Sequence, residues 1–459
     1  MRISALTVLN PYPLLDDKPG QHQSRTLQLQ PVRIARDEHP VSRAQISKNA
    51  LTVLYGLKKA GYQACLVGGG VRDLLVDIKP KDFDIATNAL PEEVRKVFRN
   101  CRLIGRRFRL AHVHFGREII EVATYRAAHD KAETSDQAST KDAQIVRDNV
   151  FGNRDEDALR RDFSINALYY DITDFSIIDY FGGFEDIAKR QLRMIGTPDQ
   201  RYREDPVRLL RAVRLAAKLD FSIEKATAEP ISQLGPLLDN VPRARLFEEM
   251  LKLFQSGHAQ RSYEMLQQYD LTQHLLLWPV EVNPVDQNLV ELALQDSDQR
   301  LRDGKKIAPF FTLAALLWPV RQSIVRQEMA NHDDIHALHS LASHRAIADQ
   351  NHLLAIPKRI AQPIQEVWNL QDRFERRVGK KPVKLLHHPR FRGAYDFLLL
   401  RARARQNSDQ NDNQDLTELA QWWTDFQHTD ETHRDTMTRP KSSHSKPRRR
   451  RTRRPAKPE

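Results

Sequence analysis

Asp82, Phe83 and Asp84 form an acid, apolar, acid triplet. In a strand, where side chains alternate between faces, both carboxylates project from one side while Phe83 enters the core on the other. Two hard oxygen ligands so placed suit Mg²⁺, which keeps several waters and takes one or two carboxylates plus substrate phosphates. A two-metal site held by Asp82 and Asp84 would activate an attacking hydroxyl and stabilise a leaving pyrophosphate. Alone, the triplet equally describes a solvated strand edge, so its neighbours decide. Upstream, Gly68, Gly69 and Gly70 separate the strand-like Ala64–Val67 from the helical Val71 to Val76, with Arg72 just inside the helix. Glycines at such a junction let the backbone approach a triphosphate, and N–H groups opening a helix attract anions. The glycine spacing is neither that of a dinucleotide-binding loop nor that of a Walker loop.

The combination Leu66-Val-Gly-Gly-Gly-Val-Arg-Asp73, then Lys81-Asp-Phe-Asp84, is far more specific than either piece. It resembles the class II nucleotidyltransferase superfamily, whose two bacterial branches are poly(A) polymerases and CCA-adding enzymes. The likeness continues through Glu121-Val-Ala-Thr-Tyr-Arg126, Arg160-Arg-Asp-Phe-Ser-Ile-Asn166 and Arg203-Glu-Asp-Pro-Val-Arg208, in the family's order, and covers about residues 45 to 270. The resemblance implies that Asp82 and Asp84 bind metal, that Asp162 is the third catalytic carboxylate, and that Gly69, Gly70, Arg72 and Arg161 contact the incoming nucleotide. Read as residues, Glu121 on a strand is an alternative third acid, and Asp162 between Arg161 and Phe163 an alternative structural ion-pair partner. Leu103-Ile-Gly-Arg-Arg-Phe-Arg-Leu-Ala-His-Val113 looks like the segment that marks the poly(A) polymerase branch. That branch implies template-independent addition of AMP from ATP to RNA 3′ ends, with Mg²⁺ as cofactor and RNA turnover as the outcome. Its substrates would be mRNA, small RNA and tRNA precursors, and its partners an RNA-decay machinery or an RNA chaperone. A CCA-adding enzyme and a catalytically silent RNA-binding protein on the same fold are the alternatives.

Between Arg203 and Lys218, Asp205, Arg208, Arg211 and Arg214 recur at steps of three, a slanting polar stripe opposite Leu209, Val213, Ala216 and Ala217. A carboxylate accepts from the exocyclic amine of adenine or cytosine, and arginine donates to ring acceptors, so Asp205 with Arg208 could select amino bases. Asp205 also directly precedes Pro206, the arrangement of a helix N-cap with proline at the first helical position. The two readings stand side by side.

The elements that must position these groups follow from patterning. Residues 1–45, with Pro11, Pro13, Pro19 and Pro31, predict an extended arm. Residues 46–190 mix both periodicities and predict an α+β head on a small, mostly antiparallel sheet: a helix over Ser47 to Ala60, strands at Ala64–Val67, Phe83–Ala86 and Ile119–Tyr125, and a hairpin from Ala167–Ile172 and Ser176–Tyr180. Residues 191–270 and 271–426 repeat apolar residues with helical period, predicting a helical neck carrying base recognition and a helical body carrying RNA.

Residues 427–459 predict a disordered basic tail. From Arg439 onward, ten Lys or Arg stand against the single Glu459, a net +9 out of the chain's +12. Its Arg448, Arg449, Arg450, Arg451, Arg453 and Arg454 are candidate RNA phosphate contacts. With 40% apolar residues and no uninterrupted apolar run near the ~20 a spanning helix needs, no membrane span is expected. Two cysteines, Cys65 and Cys101, are too few for a disulfide framework and predict packing in a reducing cytoplasm. His332, Asp333, His336 and His339 lack the ordered ligands of a metal phosphohydrolase and read as a solvated helix face. The five tryptophans read as core.

Overall fold

The computed structural model describes residues 30–105, 109–127, 150–406 and 413–439. It divides into two compact units: residues through Val241 together with Gln268–Asp270, and Pro242–Gln267 with Leu271 onward. The division expected near residue 270 falls at Val241, so the helices expected as a neck are shared between the two.

The first unit is built on an eight-stranded sheet of order β1-β8-β7-β2-β3-β6-β5-β4. Its strands are β1 Val32–Ile34, β2 Ala64–Val67, β3 Asp84–Thr87, β4 Cys101–Ile104, β5 Leu110–Phe115, β6 Glu118–Thr124, β7 Leu168–Asp171 and β8 Ile177–Asp179. Every pairing is antiparallel except β3 with β6. The expected mixed, mostly antiparallel head is therefore present. The segment expected as an arm is in part sheet, because Val32–Ile34 pairs with β8 and Arg33 donates to Asp174 at 2.9 Å and Ser176 at 3.0 Å.

Helix α1, Lys48–Lys59, is capped by Ser47, whose hydroxyl accepts from the Ala50 N–H. It buries Ala50, Val53, Leu54 and Leu57 on one sheet face with Ile85, Val113 and Val122. The other face, across β7, β2 and β3, buries Cys65, Val67, Ala86, Tyr169 and Ile178 under Ala158 of α4, Arg154–Leu159. Helices α2, Gly69–Leu75, and α3, Pro91–Val97, join strands; α5, Gly183–Ala188, and α6, Pro198–Glu204, lead to the 13-residue α7, Val207–Leu219.

The second unit is helical throughout its described residues. Trp318 packs edge-on to Phe397 at 5.1 Å, Trp423 to Phe374 at 5.0 Å, and Trp368 is fully buried, as expected of core tryptophans. Inside the expected tail, α8, Glu431–Met437, forms because Asp430 caps it by accepting from His433 N–H and because Arg434 donates to Phe426 and Gln427 carbonyls. No helix among the described residues is long and apolar enough to cross a membrane.

Candidate active site

Phe83 is buried in the core while Asp82 and Asp84 are exposed, the alternation that a strand imposes. The pleat continues beyond the hydrogen-bonded strand, which begins at Asp84. Asp84 lies beside Val67 of β2 on one side and Glu121 of β6 on the other. Its carboxyl is pushed up to about 6, first by desolvation and then by Glu121 and Asp82, against the opposing pull of Arg161. It nevertheless opens onto solvent, so water screens part of that effect.

The third acid beside this pair is Glu121, with His112 Nε2 at 3.4 Å from its Oε2. Asp162 is held otherwise. Its Oδ1 accepts from Phe163 N–H at 2.9 Å and Asn166 Nδ2 at 3.2 Å, its Oδ2 lies 3.4 Å from Arg211 Nη1, and its carbonyl accepts from Ile195 N–H. The structural ion-pair reading of Asp162 is the one this geometry displays. An uncompensated group of exposed carboxylates fits a divalent cation. Among the described residues, no three His, Cys, Asp or Glu are gathered tightly enough to enclose an ion, so a cation here would complete its shell with water and phosphate oxygens.

The glycine turn lies on the β2 side. Gly68 has φ +66° and ψ −131°, a conformation that side chains disfavour, and a Cβ there would stand 3.1 Å from Arg161 Nη1. The conformational demand thus falls on Gly68; Gly69 and Gly70 have ordinary φ and only van der Waals neighbours. Arg72 and Arg161 meet at Asn166: Arg72 donates to its Oδ1 at 2.5 Å and Arg161 to its carbonyl at 3.1 Å. Arg161 is further held by Tyr169 at 2.9 Å and Asp157 at 3.0 Å, which keep it charged despite burial. Buried Asp73 accepts from Arg72 at 2.6 Å on one oxygen and from Lys218 of α7 at 2.7 Å on the other.

The stripe on α7 meets partners in the same unit. Asp205 caps the helix, its Oδ1 accepting from Val207 N–H at 3.3 Å. Buried Arg208 gives Nη1 to Glu204 at 2.9 Å and to the Arg201 carbonyl at 2.7 Å. Arg201 also pairs with Glu204, at 2.8 Å, and donates to the Arg160 and Arg161 carbonyls. Arg214 occupies the next position along α7. The structure therefore adds Asn166, Asp73, Lys218, Glu204 and Arg201 to the predicted set. Asn166, Glu204 and Asp73 lie within the recognised motifs, which was the available signal; Lys218 carried none.

Elsewhere, Cys65 and Cys101 are free and buried, and burial pushes the Cys65 thiol up to about 11, as packing residues require. His332 and Asp333 are exposed; His339 and His336 instead face Asp372, at 2.8 and 3.6 Å. Arg448, Arg449, Arg450, Arg451, Arg453 and Arg454 lie outside the described residues.

A mixed sheet with an acid pair at the start of its central strand, followed by helices, defines a nucleotidyltransferase. The chain matches the poly(A) polymerase head domain over residues 64–193, a polymerase A region described as an RNA- and SrmB-binding site over 220–280, and the polymerase A arginine-rich C-terminus over 330–456. It is 47% identical to poly(A) polymerase I of Salmonella typhimurium, covering 92% of this chain and 91% of that one, and 41% identical to that of Haemophilus influenzae, covering 90% and 93%. A Lactobacillus helveticus CCA-adding enzyme is 36% identical over only 47% of this chain. A solved tRNA-processing enzyme shares the fold at TM-score 0.59 and 20% identity, covering 87% of this chain and 99% of its own. The chain belongs to the bacterial poly(A) polymerase I family.

Proposed function

We propose that this protein adds AMP from ATP to RNA 3′ ends without a template and releases pyrophosphate. The observation that carries this reading is the placement of Asp82, Asp84 and Glu121 beside one another with the Gly68, Arg72 and Arg161 cluster on the adjoining β2 side. Likeness over nearly the whole length to poly(A) polymerases, and over only half to a CCA-adding enzyme, supports poly(A) addition over CCA addition.

In this mechanism the RNA 3′ oxygen attacks the α-phosphorus of ATP and the bond to the β-phosphate oxygen breaks. Asp82 and Asp84 would hold two Mg²⁺, with Glu121 as the third carboxylate, supplying Lewis-acid activation of the hydroxyl and neutralising charge on the leaving pyrophosphate. Arg72 and Arg161, fixed on Asn166, bind the triphosphate and present their charges in advance. Glu204 fixes one edge of Arg208, and Asp205 and Arg208 together select the amino-bearing base while Asp205 also caps α7. Residues through Val241 form the catalytic part and the later helices, with the basic end, hold RNA, supported by the arginine-rich C-terminal match. A cytoplasmic place of action and an RNA-decay partner belong to the same proposal.

A product-length assay tests it. The protein is incubated with unstructured RNA and with tRNA lacking its CCA end, each with ATP or CTP. Long A tails on both support the proposal; a three-nucleotide stop on tRNA indicates CCA addition, and no product indicates a silent RNA-binding protein.

A further inference from the structure

The sheet continues past the acids through β5 to β4. Paired residues share a face, so the register Asp84 with Glu121, Glu121 with His112 and His112 with Arg102 sets these four in one row across four strands. Beside that row, Ile119 pairs with His114. The opposite face buries Val122, Val113 and Cys101. This face is exposed or half-exposed at every position of β4 to β6, including Ile119 at 44% and Ile104 at 46%. At its far edge Arg99, Asn100, Cys101, Arg102, His114 and Gly116 line a cavity of about 430 Å³. Arg99 and Arg102 have no ion-pair partner among the described residues, and His114 Nε2 is buried without a hydrogen bond.

The inference rests on the AMP transfer proposed above, because the geometry of that reaction assigns a side. In-line displacement at phosphorus places the attacking and leaving oxygens opposite one another. The triphosphate cluster of Gly68, Arg72 and Arg161 lies on the β2 side of Asp84, so the attacking strand must arrive from the β6 side. We infer that the open face of β6, β5 and β4 binds the last nucleotides of the RNA primer. Arg102 and Arg99 hold a backbone phosphate, and Ile119, Ile104 and the two imidazoles give bases surfaces to stack on. Apolar and planar platforms with phosphate contacts accept any base, which suits a polymerase that reads no template. Strands are spaced ~4.8 Å apart, so β4 lies ~14 Å from β3, about the reach of two or three nucleotides of an extended strand.

The test is binding of a fluorescent oligoadenylate to the full chain without nucleotide, at several salt concentrations. Arg99→Ala with Arg102→Ala should bind about tenfold more weakly, with a log–log salt slope shallower by about 1.4 if two phosphate contacts are lost. KM for RNA should rise in step while kcat and the KM for ATP hold, and Arg99→Lys with Arg102→Lys should recover most of the loss. A neutral methylphosphonate linkage walked back from the 3′ end should weaken wild-type binding at the second or third position and leave the double alanine variant unaffected. Equal affinities and slopes, or an identical methylphosphonate penalty in both proteins, would place the primer elsewhere. Binding is read without ATP, so a wild-type protein that adds no AMP would count against the proposed activity alone.

Discussion

Asp73 joins the phosphate side of the site to α7, and Asp73→Ala tests how much that junction contributes. Its carboxylate is buried, with one oxygen on Arg72 at 2.6 Å and the other on Lys218 at 2.7 Å. Removing it leaves the Arg72 side chain, 5% exposed, without its anion, and leaves Lys218, 28% exposed, facing that cation. Breaking a buried pair in this way costs about 3–5 kcal/mol, and the partial exposure of Lys218 puts the expectation near the lower end. At about 2–4 °C per kcal/mol for a unit of this size, Tm should fall by roughly 10 °C. Calorimetry would measure this, with Lys218→Met in a double-mutant cycle. Because Lys218 is the second uncompensated charge, Lys218→Met should restore at least about 1 kcal/mol in the alanine background. The KM for ATP should rise as Arg72 loses its orientation. A loss below about 1 kcal/mol, or strict additivity with Lys218→Met, would refute the junction.

The raised Asp84 pKa means that the folded protein prefers this group protonated, so wild-type stability falls as pH rises from the unfolded value through about 6. In chelator, Asp84→Asn should match wild type near pH 4 and exceed it by about 1 kcal/mol at pH 7.5, a figure reduced for solvent screening; denaturant melts showing the same difference at both pH values would contradict this. Arg208→Ala and Glu204→Gln should both raise the KM for ATP and weaken discrimination against other nucleotides, because one removes the base contact and the other its support. Asp205→Ala should lower stability by about 1 kcal/mol through the lost cap; if selectivity stays intact in steady-state competition, Asp205 only caps. Deleting residues 440–459 should weaken RNA binding and flatten its salt dependence with little change in saturated turnover; equal slopes in a salt titration would mean that the basic end never touches RNA.

What local pattern could reveal was set by local physics. The acid pair around Phe83 obeys the strand period, the span of α7 follows its helical repeat, and the Asp205 cap was visible in its proline neighbour. Groups joined over long separations carried no such signal. The Asp84–Glu121 pairing arises from a parallel strand contact, and Lys218 reaches Asp73 across 145 residues. Residues 32–34 join the sheet by pairing with β8, which a three-residue run among prolines could not announce. The helix at Glu431–Met437 was hidden by the dense positive charge of residues 439–459, although Asp430 is an ordinary N-cap.

The central claim is that the acids at the start of β3 transfer AMP. The most direct measurement is incorporation of labelled AMP into RNA by Asp82→Ala and Asp84→Ala, with thermal melts and RNA affinity recorded on the same preparations. The account predicts loss of incorporation by several orders of magnitude in both variants, with folding and RNA binding close to wild type. Near-normal turnover in either folded variant would contradict it.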